Sequence, residues 1–135
     1  MFKVFSQSDV GLVRKSNEDA CQCGILSESA AWAVVCDGMG GANGGNVASN
    51  IAVKKISETI LAGYREGMDS AAVEQLIASA IATANEAVHS MAGNDISLTG
   101  MGTTVVTAII CDSIIHVAHA GDSRAYLISG GEMHR

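Results

Sequence analysis

Residues 31–49, AWAVVCDGMGGANGGNVAS, decide how the chain is read. Within them AVVC, residues 33–36, is a short apolar run of the kind that forms a buried strand, and it stops on Asp37. Five glycines then fall in residues 38–45 before an apolar pattern of helical period begins. An acid at a strand tip beside bare backbone suits a cation, because glycine lets carbonyls and amides approach a ligand closely. A plain strand-to-helix turn would use the same residue types. A dinucleotide loop fits poorly: it needs a third glycine where Asn43 stands, and Asp37 would repel its pyrophosphate. A P-loop is excluded, since no Gly-Lys-Ser/Thr follows.

Outward from this stretch, 135 residues with 48% hydrophobic content are enough for one domain with a real core. The formal net charge of −6 and the scattered basic residues argue against nucleic acid or an anionic membrane as partner. Cys21 and Cys23 are one residue apart and Cys36 and Cys111 stand alone, so no C-x-x-C zinc spacing exists. Reduced, mostly buried thiols point to a cytoplasmic protein. MFKVFSQSD lacks the apolar core of a signal peptide, and no run approaches membrane-spanning length. Proline is absent and residues 131–135 stop just after a turn, so the chain reads as cut short at its C-terminus.

In chain order, residues 2–5 alternate as a half-buried strand, and 6–20 form an irregular polar connection. Residues 20–26 and 30–36 read as antiparallel partners with Asp19 and Asp37 at the same end. Glu18, Asp19 and Asp37 then converge at one sheet edge, where like charges need a cation or a raised pKa. Residues 46–62 and 70–92 carry amphipathic helical patterns, the first ended by Gly63 and the second capped by Asp69 or Ser70; a short loop makes them a hairpin. Residues 103–111 and 114–120 read as strands about a turn at Asp112-Ser113, followed by a tight turn at Gly121-Asp122-Ser123 and a third strand over 124–128. His116 and His119 fall on opposite faces of one strand and cannot share a metal. Asp112 and Asp122 occupy similar turns, and pattern does not choose between them.

Four stretches together carry a resemblance: Asp9-Val10-Gly11-Leu12-Val13-Arg14 with Asn17-Glu18-Asp19; Cys36-Asp37-Gly38-Met39-Gly40-Gly41; Gly102-Thr103-Thr104; and Ala120-Gly121-Asp122-Ser123-Arg124-Ala125-Tyr126. In this order and spacing the chain resembles the metal-dependent protein phosphatases, the PPM or phosphatase 2C class, in their bacterial form. The likeness runs from about residue 6 to 135 and covers about the N-terminal half of the family domain. It implies an α+β fold, the four-layer α/β/β/α sandwich of that class, of which residues 1–135 would be a partial domain. It implies a protein serine/threonine phosphatase using two or more Mn²⁺ or Mg²⁺ ions. By position, Asp37 would bridge two ions, with the Gly38 carbonyl and Glu18 completing one shell. Asp19 would accept from water, Asp122 would belong to a weaker further metal site, and Arg14 would hold the substrate phosphate. Arg14 and Asp37 are thus the catalytic pair.

The partners implied are a phosphorylated protein substrate and a Ser/Thr kinase of the same pathway. Met39 stands where eukaryotic relatives often have a histidine, and Ala42 and Asn46 where bacterial members often have histidine and glutamate. The rest of the family domain supplies a flap and two further aspartates. The 135 residues alone are therefore expected to bind Mn²⁺ weakly and hydrolyse little. The alternatives are a non-catalytic phosphatase-like module that recognises a partner, against which the retained acids and Arg14 argue, and a nucleotide-binding βα unit.

Overall fold

The computed structural model describes residues 1–41 and 44–135. Ala42 and Asn43, which bear on the histidine and dinucleotide comparisons above, lie outside the described residues. The order is β1 (Asp19–Ser27), β2 (Ala30–Met39), α1 (Gly44–Gly63), α2 (Ser70–Asn94), a single 3₁₀ turn (Ile96–Leu98), β3 (Gly102–Thr103), β4 (Val105–Cys111), β5 (Ile114–Ala120), β6 (Leu127–Ser129) and β7 (Glu132–His134). The main sheet runs β1-β2-β4-β5, antiparallel throughout, with β3 paired to the end of β2.

Strand alternation explains which face the helices cover. Ala30, Trp32, Val34 and Cys36 of β2, with Val105, Ile109 and Cys111 of β4, point to one side and are buried. They meet Ala52, Val53, Ile56 and Ile60 of α1 and Val73, Ile77, Ala80 and Ala84 of α2. Alanine at so many of these positions lets two helices lie close over one sheet. Asp69 caps α2, its carboxylate accepting from the Ala72 amide at 2.8 Å, as one of the two expected capping choices. Gly63 does end α1, for a reason the helical pattern does not contain. A Cβ there would overlap Leu76 Cδ1 of α2, so the residue marks where the helices touch.

The opposite face is apolar and largely open: Val35 is 48% exposed, and Ile25, Ile115 and Val117 are exposed, although Ala31 and Val106 on the same face are buried. A sheet with helices on one face and aliphatic side chains on the other is built to pack against a second layer. Helix pair and sheet thus make the α/β half of the α/β/β/α sandwich expected from the resemblance.

Several local expectations change. Residues 1–18 hold no strand: Phe2 and Val4 are half-buried between exposed neighbours, but without a partner strand the alternation makes no ladder. The run 103–111 is interrupted at Thr104, whose amide donates to the Asp37 carbonyl at 2.9 Å. The third strand of the expected meander begins only at Leu127 and pairs with β7 instead of β5. Gly121, at φ +98, turns the chain away from the main sheet there. The Asp112-Ser113 turn is as expected, both residues at positive φ in a two-residue hairpin.

The core assignment has a direct check. Ile56, fully buried between α1 and the sheet, should cost about 2–5 kcal/mol when changed to Ala. Val35→Thr on the uncovered face should stay within about 0.5 kcal/mol of the parent. Urea unfolding measures both, and a cheap Ile56→Ala would contradict the packing described.

Candidate metal centre

Register builds the centre. In the β1–β2 ladder Asp19 stands directly opposite Asp37, next to the Ala20–Cys36 pair. Ala20 and Cys36 face the helices, so the two carboxylates share the face away from them. Their predicted convergence at one sheet end is therefore met as closely as an antiparallel pair allows.

The irregular connection before β1 closes over this end. Asp9 Oδ1 accepts from the Gly11 amide at 2.7 Å and turns the loop. Asn17 Nδ2 donates to Ser8 Oγ at 2.6 Å, and Asn17 Oδ1 accepts from the Asp19 amide at 3.0 Å. A cleft of about 290 Å³ results, with Arg14, Glu18, Asp19 and Asp37 all in its lining. Asp9 joins that lining too, a position the sequence reading did not single out.

Below the cleft, three backbones meet. The Gly38 amide donates to the Glu18 carbonyl at 3.0 Å, and a Cβ on Gly38 would overlap the Gly45 carbonyl. A Cβ on Gly45 would sit 2.9 Å from Glu18 Cδ, so the Glu18 carboxyl lies against the first turn of α1. These glycines serve close approach. Of the glycines described in residues 38–45, Gly40 alone is at positive φ, +141.

Asp122 follows β5 at the cleft's end of the sheet, whereas Asp112 lies at the far end, beyond the Ala30–Cys111 pair. Of the two turn aspartates, Asp122 is the one at the end of the sheet that bears Asp37. Partial burial raises the Asp37 carboxyl above its ordinary range, as do the Asp19 carboxylate, by charge and by hydrogen-bonding reach, and the charge of Asp122. Arg14 opposes them. Burial pushes the neighbouring Cys36 thiol up to about 11, which leaves it a neutral packing group. His116 is buried with its Nδ1 3.8 Å from Glu74, and His119 is exposed on the other face, so the two histidines are separated as expected.

Among the described residues no three His, Cys, Asp or Glu side chains already stand together as a ready cage. What the fold presents is a carboxylate pair flanked by Glu18 and Arg14. The residues missed beforehand as roles are Thr104 and Ser123. The Asp37 amide donates to Thr104 Oγ1 at 3.0 Å, and that oxygen lies 2.5 Å from Ser123 Oγ. Their only prior signal was membership of the Gly-Thr-Thr and Gly-Asp-Ser stretches.

Comparison with known proteins shows the family to which this fold belongs. The sequence model of the Protein phosphatase 2C family matches residues 13–135. Serine/threonine phosphatase stp of Listeria innocua is 32% identical over 130 residues, covering 94% of this chain and 50% of that protein. Serine/threonine phosphatase Stp1 from Staphylococcus aureus superposes with a TM-score of 0.82 at 30% identity, over 93% of this chain and 49% of that one. The catalytic domain of serine threonine protein phosphatase PstP, solved in complex with 2 manganese ions, does so with a TM-score of 0.77 at 31% identity, over 94% and 51%. The chain belongs to the protein phosphatase 2C family. It spans about half the length of the curated relatives it matches.

Two variants probe the centre without any reaction. A carboxyl whose folded pKa is raised costs nothing below its unfolded pKa; the cost grows as pH rises to the folded value and is full above it. Asp37→Asn should therefore raise the melting temperature in EDTA at neutral pH, and the gain should fade towards about pH 4. A melting temperature lowered at neutral pH would contradict the repulsion. Gly38→Ala should destabilise by about 1–3 kcal/mol in urea, since the Gly45 and Glu18 backbones must both move.

Proposed function

We propose that this chain carries the cation- and phosphate-holding half of a metal-dependent protein serine/threonine phosphatase. The observation that carries the reading is Asp19 opposite Asp37 with Arg14 in the same cleft. A carboxyl whose hold on its proton is strengthened by burial and by a second carboxylate beside it will take a divalent cation in the proton's place. An all-oxygen donor set favours Mn²⁺ or Mg²⁺ over zinc.

Asp37 and Asp19 would hold the ions, with Glu18 and the Gly38 carbonyl completing the set and Asp122 serving a further, weaker position. When bound, the ions supply the Lewis acidity that readies a water for attack on phosphorus. Arg14 binds the phosphate oxygens of phosphoserine or phosphothreonine and offsets their charge as the bond breaks. Asp19 accepts a hydrogen bond from the attacking water and orients it. Met39, 52% exposed at the tip of β2, has no proton to give the departing alcohol.

The substrate is a phosphorylated protein, and its counterpart a Ser/Thr kinase acting on the same residues. Among the described residues no helix is long and apolar enough to cross a membrane. That, with reduced cysteines, supports a cytoplasmic setting. The lack of a three-carboxylate cage among the described residues is the observation on the side of a non-catalytic binding module, and it leads equally to the expectation of weak metal uptake by these residues alone.

Titration calorimetry with MnCl₂ separates the roles. Uptake should be weak, lost in Asp37→Asn and kept in Arg14→Ala. On a phosphothreonine peptide Arg14→Ala should raise KM about 10-fold or more, the worth of one charged hydrogen bond. Mn²⁺ uptake equal in Asp37→Asn and the parent chain would refute the reading.

A further inference from the structure

Thr104 lies between β3 and β4 and is only 3% exposed. Its amide and its hydroxyl both bind the Asp37 backbone: the amide donates to the Asp37 carbonyl at 2.9 Å, and Oγ1 accepts from the Asp37 amide at 3.0 Å. The same oxygen lies 2.5 Å from Ser123 Oγ. Its methyl fills the space over Gly121, where a Cβ would come within 2.8 Å of Thr104 Cγ2. One buried side chain thus grips the backbone of Asp37 on one side and the loop that carries Asp122 on the other. Two acids 85 positions apart in sequence, one in β2 and one in the loop after β5, are tied through a single hydroxyl.

We propose that Thr104 is a positioning residue whose hydroxyl, through Ser123, couples the Asp122 loop to Asp37 and thereby sets the affinity of the cleft for divalent cations. The proposal rests on the cation-holding reading above. Cation affinity is sensitive to the groups that orient its ligands, because a carboxylate free to swing must be ordered each time an ion binds. Valine would fill the same volume as Thr104 but leave the Asp37 amide and the Ser123 hydroxyl without their partner. Serine would keep the hydroxyl and lose only the methyl.

Three variants of the whole chain test this: Thr104→Val, Thr104→Ser and Ser123→Ala. Each is read by MnCl₂ calorimetry, by NMR hydrogen exchange at the Asp37 amide, and by melting in EDTA. Thr104→Val should weaken Mn²⁺ binding about 10–100-fold and speed exchange at Asp37. Thr104→Ser should restore both close to the parent values. Ser123→Ala should weaken Mn²⁺ binding while the Asp37 amide stays protected. A folded Thr104→Val with parental Mn²⁺ affinity, or a Thr104→Ser that fails to rescue, overturns the proposal. If Thr104→Val does not fold, Ser123→Ala decides, and unchanged Mn²⁺ affinity there overturns it. If the parent chain takes up no Mn²⁺, the cation reading itself falls, and this proposal with it. Asp37 exchange unaltered in Thr104→Val overturns the coupling separately.

Discussion

Two like charges held face to face are the constraint on which the rest depends. Asp19 and Asp37 are paired across a ladder, so neither can retreat without breaking strand hydrogen bonds. Folding accepts this cost because the same register buries Ala20 and Cys36 under the helices. A slip of β2 by one residue would turn Asp37 into the core and Trp32, Val34 and Cys36 out of it. The apolar face of β2 therefore enforces the carboxylate pair, and sheet stability and site geometry are one fact.

Around that pair the chain spends its unusual residues. Gly38 and Gly45 let the end of β2, the start of α1 and the Glu18 backbone come within contact, which places Glu18 beside the pair. Asp9 and Asn17 fold the preceding loop so that Arg14 shares the cleft. Thr104 and Ser123 bring the Asp122 loop to the same edge. Each device is local and cheap in sequence terms. Their joint product is an acidic rim with Arg14 in its cleft, the electrostatic outline of a place for divalent ions and a phosphate.

Much of this was legible beforehand, and the reasons differ by element. The helices and β4 announce themselves through periodicity and β-branched density, which depend only on near neighbours. The placing of Asp19 and Asp37 at the same end of the strand pair followed from the strand ends and a turn expected within residues 26–30. What sequence hid is whatever depends on a distant partner. Phe2 and Val4 alternate like a strand but have none to pair with. Residues 124–126 look extended, yet Gly121 takes them off the sheet. Gly63 reads as a helix terminator, but its role is contact with Leu76. Thr104 looks like one more β-branched strand residue; only the fold shows it leaving the ladder to serve Asp37.

The most direct measurement is the location of the ion itself. Crystals grown with MnCl₂ and measured at the manganese absorption edge should show an anomalous peak between the Asp19 and Asp37 carboxylates, within ligand distance of both. A peak elsewhere on the molecule, or none at that cleft in well-ordered crystals saturated with Mn²⁺, would contradict the account.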